Sequence, residues 1–182
     1  MMTLNKILYV LIIAAALVVH PLSVRADETK MAVVDVEKIL SESKAGKSIQ
    51  EQLNSRRETF QKEFSKREND LMNAEKALVQ QKPDLSADAF EKKRQEFEKN
   101  LLETRSLFQK RRNSLDKGLG DALATLRKNI VEVIAEISDK ENYQIVLTRD
   151  SVVIVEKEMD ITETVLARLD KKITNIKLDV AE

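Results

Sequence analysis

Lys44-Ala-Gly-Lys-Ser48 is the stretch whose residue types come nearest to a phosphate-binding loop, in which glycine-freed backbone amides cradle a phosphate that lysine and serine then complete. That motif requires a first glycine five positions before Gly46, and Ser41 stands there. Nucleotide binding is therefore not expected. Asp35 follows an apolar run, a position where an acid serves as general acid or base in other folds, yet alone it is better explained as a turn or cap residue. The single histidine, His20, lies in the leader, and cysteine is absent. Neither a Cys/His metal set nor a histidine-activated nucleophile can be assembled. No enzyme, metal or other cofactor is expected. The remaining chemistry is non-directional contact. Phe60, Phe64, Phe90, Phe97 and Phe108, all the phenylalanines of the chain, sit in two charged stretches flanking Pro83-Asp84.

Those stretches predict the elements that hold them. Ile49, Leu53, Phe60, Phe64, Leu71 and Leu78 recur at steps of three and four over 47–82, with a stutter where two four-residue steps meet at Phe60 and Phe64. Phe90, Phe97, Leu101, Phe108, Leu115 and Leu119 continue the pattern after the break. Each rod carries one apolar seam, and an antiparallel hairpin buries both. Mirroring about Asp84 pairs Leu78 with Phe90, Leu71 with Phe97, Phe60 with Phe108, Leu53 with Leu115 and Ile49 with Leu119. At ~1.5 Å per residue the ascending rod is about 50–55 Å long. Pro83 stops it, and Ser86 is placed to cap the return. Gly46, at the entry to the arm, Gly118 and Gly120 are the candidate arm pivot, with a close packing contact as the alternative for Gly118 and Gly120.

The flanks predict a small body. Met31–Val36 forms an apolar strand followed by a short helix over 37–43. Tyr143–Thr148 and Val152–Val155 form two strands about a turn at 149–151, the second apolar on both faces. Asp160-Ile-Thr-Glu163 opens a last helix as a capping box bearing Ile161, Val165, Leu169 and Ile173. The expected class is α+β, mostly α: a hairpin arm over 44–128, its turn at 82–86, inserted in a β-rich body made from 27–43 and 129–182. A body this small leaves the two-sided strand uncovered, so self-association follows.

Residues 1–26 have the three parts of a cleaved secretory signal: Lys6, the apolar run Ile7–Val19, and Val24-Arg25-Ala26. The apolar run falls short of the ~20 residues that span a bilayer. Formal neutrality hides a polarity. Residues 44–128 hold 20 Lys+Arg against 14 Asp+Glu, whereas the rest of the chain from Asp27 holds 9 against 17. A basic arm draws anionic partners through a field that salt screens.

Met31-Ala-Val-Val-Asp-Val-Glu-Lys-Ile-Leu40, the entry Ser43-Lys-Ala-Gly-Lys47, the charged hairpin, Tyr143-Gln-Ile-Val-Leu147, and Asp160-Ile-Thr with Val165-Leu166 together resemble the Skp (OmpH-like) family of periplasmic chaperones. The resemblance covers nearly all of the chain after residue 26, and its specificity lies at the two ends. It implies a jellyfish-shaped homotrimer, with a β-rich body and three arms enclosing a cavity where unfolded outer-membrane proteins wait without ATP. Well-studied members are strongly basic, whereas this chain from Asp27 has 29 Lys+Arg against 31 Asp+Glu.

Apolar residues left over from the seam are the candidate client contacts: Met72, Val79, Leu85, Leu102 and Leu107. Lys92, Lys93, Arg94 and Lys99 are candidates for anionic lipid, lipopolysaccharide or acidic segments. The competing expectation is a structural adaptor whose hairpin tip docks another helical assembly in the envelope. Nucleic acid is not an expected partner, because the aromatics are consumed by the seam.

Overall fold

The computed structural model describes residues 29–180, so the expected leader and its cleavage site lie outside the described residues. Strand β1, Met31–Val34, pairs in parallel with β2, Ile145–Thr148, with Met31 opposite Ile145. A parallel pair needs a long crossover. Here the crossover comprises α1 (Val36–Glu42), α2 (Lys44–Gln81) and α3 (Ala87–Glu141). Helix α4, Thr162–Lys172, follows β2. The fold is mostly helical with one small strand pair, and the first and late strands meet as expected.

Side-chain caps set the boundaries. The Asp35 carboxylate accepts from the Lys38 amide at 2.8 Å and starts α1, which makes it the cap residue its context predicted. Ser43 ends α1 and accepts from the Gly46 amide at 3.1 Å. Helix α2 therefore begins at Lys44, three residues before the expected start. Ser86 caps α3 through the Ala89 amide. Helix α3 runs past Ser138 to Glu141 and stops where Asn142 turns left-handed at φ 57°, a conformation asparagine tolerates well.

Three expectations are corrected. Val152–Val155 is not a strand in this chain: Val153 is 97% and Ile154 88% exposed, and the segment pairs with neither strand of the sheet. Asp160 does not cap α4 as part of a box with Glu163. The helix begins one residue later, Asp160 accepts from the Thr162 amide at 2.9 Å, and Glu163 pairs with Lys38 at 2.6 Å. The mirror about Asp84 is also displaced. Phe108 meets Phe64, not Phe60, with ring centroids 4.1 Å apart, and Gln81 accepts from Lys93 at 2.5 Å. The cause lies in the tip. A 3₁₀ turn at Lys82–Asp84 prolongs the first rod by about one α-turn of rise, so the chain crosses at Leu85 and Ser86 instead.

The core sits at the base of the long pair. It combines Ala32 and Val34 of β1, Ile39 and Leu40 of α1, Ala45, Ile49 and Leu53 of α2, Leu115 to Ile137 along α3, and Val165 and Leu169 of α4. The segment after α4 completes it. Ile176 and Leu178 are buried, and the Gln52 amide grips their backbone, donating to the Ile176 carbonyl at 2.8 Å and accepting from the Leu178 amide at 3.0 Å. Gly118 makes room for this strap, since a Cβ there would lie 2.3 Å from the Asp179 carbonyl oxygen. A Cβ at Gly46 would lie 1.9 Å from the Leu40 carbonyl oxygen. Both glycines answer to close backbone approach, whereas a Cβ at Gly120 meets open space.

Two measurements follow from these contacts. Gly118→Ala should cost ~1–3 kcal/mol in urea unfolding at fixed protein concentration, because backbone must move. Gly120→Ala should instead stabilise by up to ~1 kcal/mol, so equal effects at the two sites would refute the packing assignment. The second concerns Asp160. Burial pushes its carboxyl up, but hydrogen bonds from the Thr162 hydroxyl and amide, together with Arg149 and Lys38, outweigh that and hold it below its ordinary value. A depressed carboxyl contributes stability above the unfolded-state pKa of ~3.9 and loses it as pH falls through the folded value. Asp160→Ala should thus cost about 1 kcal/mol near pH 7 and converge with the parent once pH has fallen below the depressed folded value. A deficit that persists unchanged at that acidity would contradict the assignment.

Candidate functional site

Beyond the core the two long helices run on alone. Tipwards of Leu53 and Leu115, Thr104 is the one fully buried residue among those described. Ile49, Leu53 and Leu115 are buried, but Phe60, Phe64, Leu71, Leu78, Phe90, Phe97, Leu101, Phe108 and Leu119 of the seam are only half-buried. A seam with one partner rod has cover on one side only, so its rims meet water. Part of that rim is closed by Arg111, whose guanidinium lies 5.1 Å from the Phe60 ring centroid and pairs with Glu63 at 2.9 Å. The Arg111 Nε is buried without a hydrogen-bond partner, the cost of a long polar side chain at a seam position.

Handedness sorts the surface of this pair into two sides. The residue after a seam position lies about 100° further around its helix. In an antiparallel pair that step turns to the same side on both rods, since reversing the chain reverses the sense of rotation. Met72 (46% exposed), Val79 (66%) and Leu102 (64%) occupy such positions, after Leu71, Leu78 and Leu101. Arg57, Gln61 and Arg112 share that side, and with Phe60, Phe64 and Phe108 they line a groove of about 550 Å³. The opposite side is densely charged, with Glu63, Lys66, Asp70, Lys93, Glu96 and Glu103 along its clefts.

The candidate contacts divide accordingly. Met72, Val79 and Leu102 come together on one side. Leu107 precedes its seam residue and falls on the charged side, half-buried, while Leu85 is half-buried in the crossing. Of the basic candidates, Lys93 is spent on Gln81, Arg94 on Glu91 at 2.7 Å and on Glu98, and Lys99 lies 3.8 Å from Glu103. Lys92 alone of the four has neither an ion pair nor a side-chain hydrogen bond among the described residues. Residue spacing by itself does not single out Arg57 and Arg112. The signal that finds them is their one-residue offset from the seam, the same offset that Met72, Val79 and Leu102 carry.

A second set of exposed apolar residues belongs to the body: Met31, Ile145 and Leu147 on the strand pair, and Val153 and Ile154 in the segment after β2. Lys38 faces Glu163, whose hydrogen bond and charge raise the lysine above its ordinary range. No group of three His, Cys, Asp or Glu residues able to hold a metal occurs among the described residues. No helix among them is long and apolar enough to cross a membrane.

Known proteins with this sequence pattern and shape can now be placed beside the geometry. The family model for outer membrane protein (OmpH-like) matches residues 30–169. A crystal structure of a candidate outer membrane chaperone (OmpH-like) from Caulobacter crescentus superposes with a TM-score of 0.79 at 21% identity, covering 84% of this chain and 90% of that one. No curated protein matches the chain. The structural neighbour establishes a shared fold, and the family match extends from β1 through both long helices into α4, so this chain belongs to the OmpH-like family of outer membrane proteins.

Proposed function

We propose that the chain is an ATP-independent periplasmic holdase that shields unfolded outer-membrane proteins between the arms of a homotrimer. The observation that carries the reading is the one-sided placement of Met72, Val79 and Leu102 on a long exposed pair of helices. Holding an unfolded chain takes many weak contacts that select no single sequence, and methionine's flexible, polarisable side chain suits that task. Family membership and the Caulobacter neighbour support a chaperone role. In this reading the arm is the hairpin over 44–128 and the body is built from 27–43 and 129–182. The near-neutral chain leaves lipid or lipopolysaccharide as a secondary partner at most, reached through the basic arm.

The trimer rests on the body's exposed apolar region. Val153 and Ile154, with Met31, Ile145 and Leu147, leave an open sheet edge that other copies of the chain are suited to cover. In this reading Val152–Val155 becomes a strand only in the assembly.

Diluting a denatured outer-membrane β-barrel protein into buffer with and without this protein, and following light scattering, tests the function. Suppression should saturate near one trimer per client without nucleotide; unchanged scattering would favour the adaptor reading. For the assembly, Val153→Asp with Ile154→Asp should convert the trimer to monomer in sedimentation velocity, because each buried charge lacks a partner. A trimer that survives both substitutions would place the interface elsewhere.

A further inference from the structure

We propose that the groove at the base of the arm is a docking subsite for an unfolded polypeptide segment in which an aromatic side chain neighbours a carboxylate. This rests on the holdase reading and names the kind of client sequence held at that surface. The floor is Phe60, Phe64 and Phe108, with the Phe64 and Phe108 rings edge to face at 4.1 Å. An incoming aromatic ring finds faces and edges there in the geometry that aromatic pairs prefer. The walls are cationic. Arg111 is committed to Glu63 across the seam, but Arg57 and Arg112 are exposed and have no ion pair among the described residues. No acidic residue lines the groove. Charge complementarity therefore asks for an anion beside the ring.

Continuity selects a polypeptide as the source. The groove opens onto the same side of the arm as Met72, Leu102 and Val79, and from Phe60 to Val79 this stripe spans about 28 Å along the helix axis. Nearest the groove lie uncharged Gln61 and Ser65, each one residue after a seam phenylalanine, while Glu68 and Glu75 lie farther along the same side. An extended backbone offers amides and carbonyls to such side chains and can place successive side chains at separate stations. A hydrocarbon tail has nothing to offer the polar stations.

The test uses the full trimeric protein and fluorescein-labelled peptides alternating Phe with Asp, Phe with Lys, or Ala with Asp, with binding followed by anisotropy at low salt. Wild type should bind the Phe/Asp peptide roughly tenfold more tightly than the Phe/Lys peptide, the effect of two exposed charge pairs, and the Ala/Asp peptide weakly. Arg57→Gln with Arg112→Gln should abolish the preference, and Arg57→Glu with Arg112→Glu should invert it; both positions are exposed, and circular dichroism verifies the fold. A photocrosslinking residue at Gln61 should capture the Phe/Asp peptide, whereas one at Lys66 on the charged side should not. A preference that ignores the arginine substitutions would overturn the proposal. So would arginine-dependent binding of dodecyl phosphate without any peptide binding, which would assign the groove to a lipid. Aggregation suppression without a peptide preference would sink the subsite and leave the holdase reading standing; the reverse would sink that reading alone.

Discussion

Two helices packed side by side can each turn only one stripe inward, and every longer-range property of this molecule follows from that limit. In a three- or four-helix bundle a seam phenylalanine is enclosed on both sides, but here Phe60, Phe64, Leu71, Phe97 and their neighbours stay half-buried along the whole free length of the pair. The pair cannot be strongly stable by itself, so its anchorage must come from below. That is where full burial resumes, at Leu53 and Leu115, and continues through Leu126, Ile130, Val133 and Ile137. Ile176 and Leu178 lie across the same junction and tie both helices to the body through Gln52 and Gly118. Packing thus falls from base to tip, and local stability with it.

The same limit explains the distribution of charge. A rod with little apolar cover must be solubilised by its flanks, and both rods do this with interleaved acids and bases such as Glu58 with Lys62 and Glu91 with Arg94. These pairs are exposed and contribute little to stability individually. Their effect is to keep the outer surface of the rods wet. On the side of Met72, Val79 and Leu102, the leftover apolar residues and two unpaired arginines share a surface with the aromatic rim. Asymmetry between the two sides, more than any pocket, is what distinguishes the arm from an inert spacer.

Much of this was legible in the chain. The steps of three and four, Pro83 with Ser86, the Asp35 and Ser43 positions, and the flanking apolar runs identify two long rods and the strands that meet behind them, because helix periodicity and capping are local properties. Register was not legible to better than a turn. Mirroring about Asp84 assumes that both rods stop level, and the 3₁₀ turn at Lys82–Asp84 makes one of them longer. The role of Gly118 was likewise hidden, since its neighbour Asp179 is distant in sequence.

What the amino-acid order determined alone is therefore the local inventory: which segments are helical and which residues compose each seam. Tertiary structure decided the rest, namely that Phe64 and not Phe60 meets Phe108, that Asp160 stands one residue outside α4, that Val153 and Ile154 have no partner in their own chain, and that Met72, Leu102 and Arg112 share a side. The reason is physical. Periodicity fixes angles about a single axis, whereas register, sidedness and cover depend on where a second axis lies, and that is set by the turn that joins them and by the strap that closes their base.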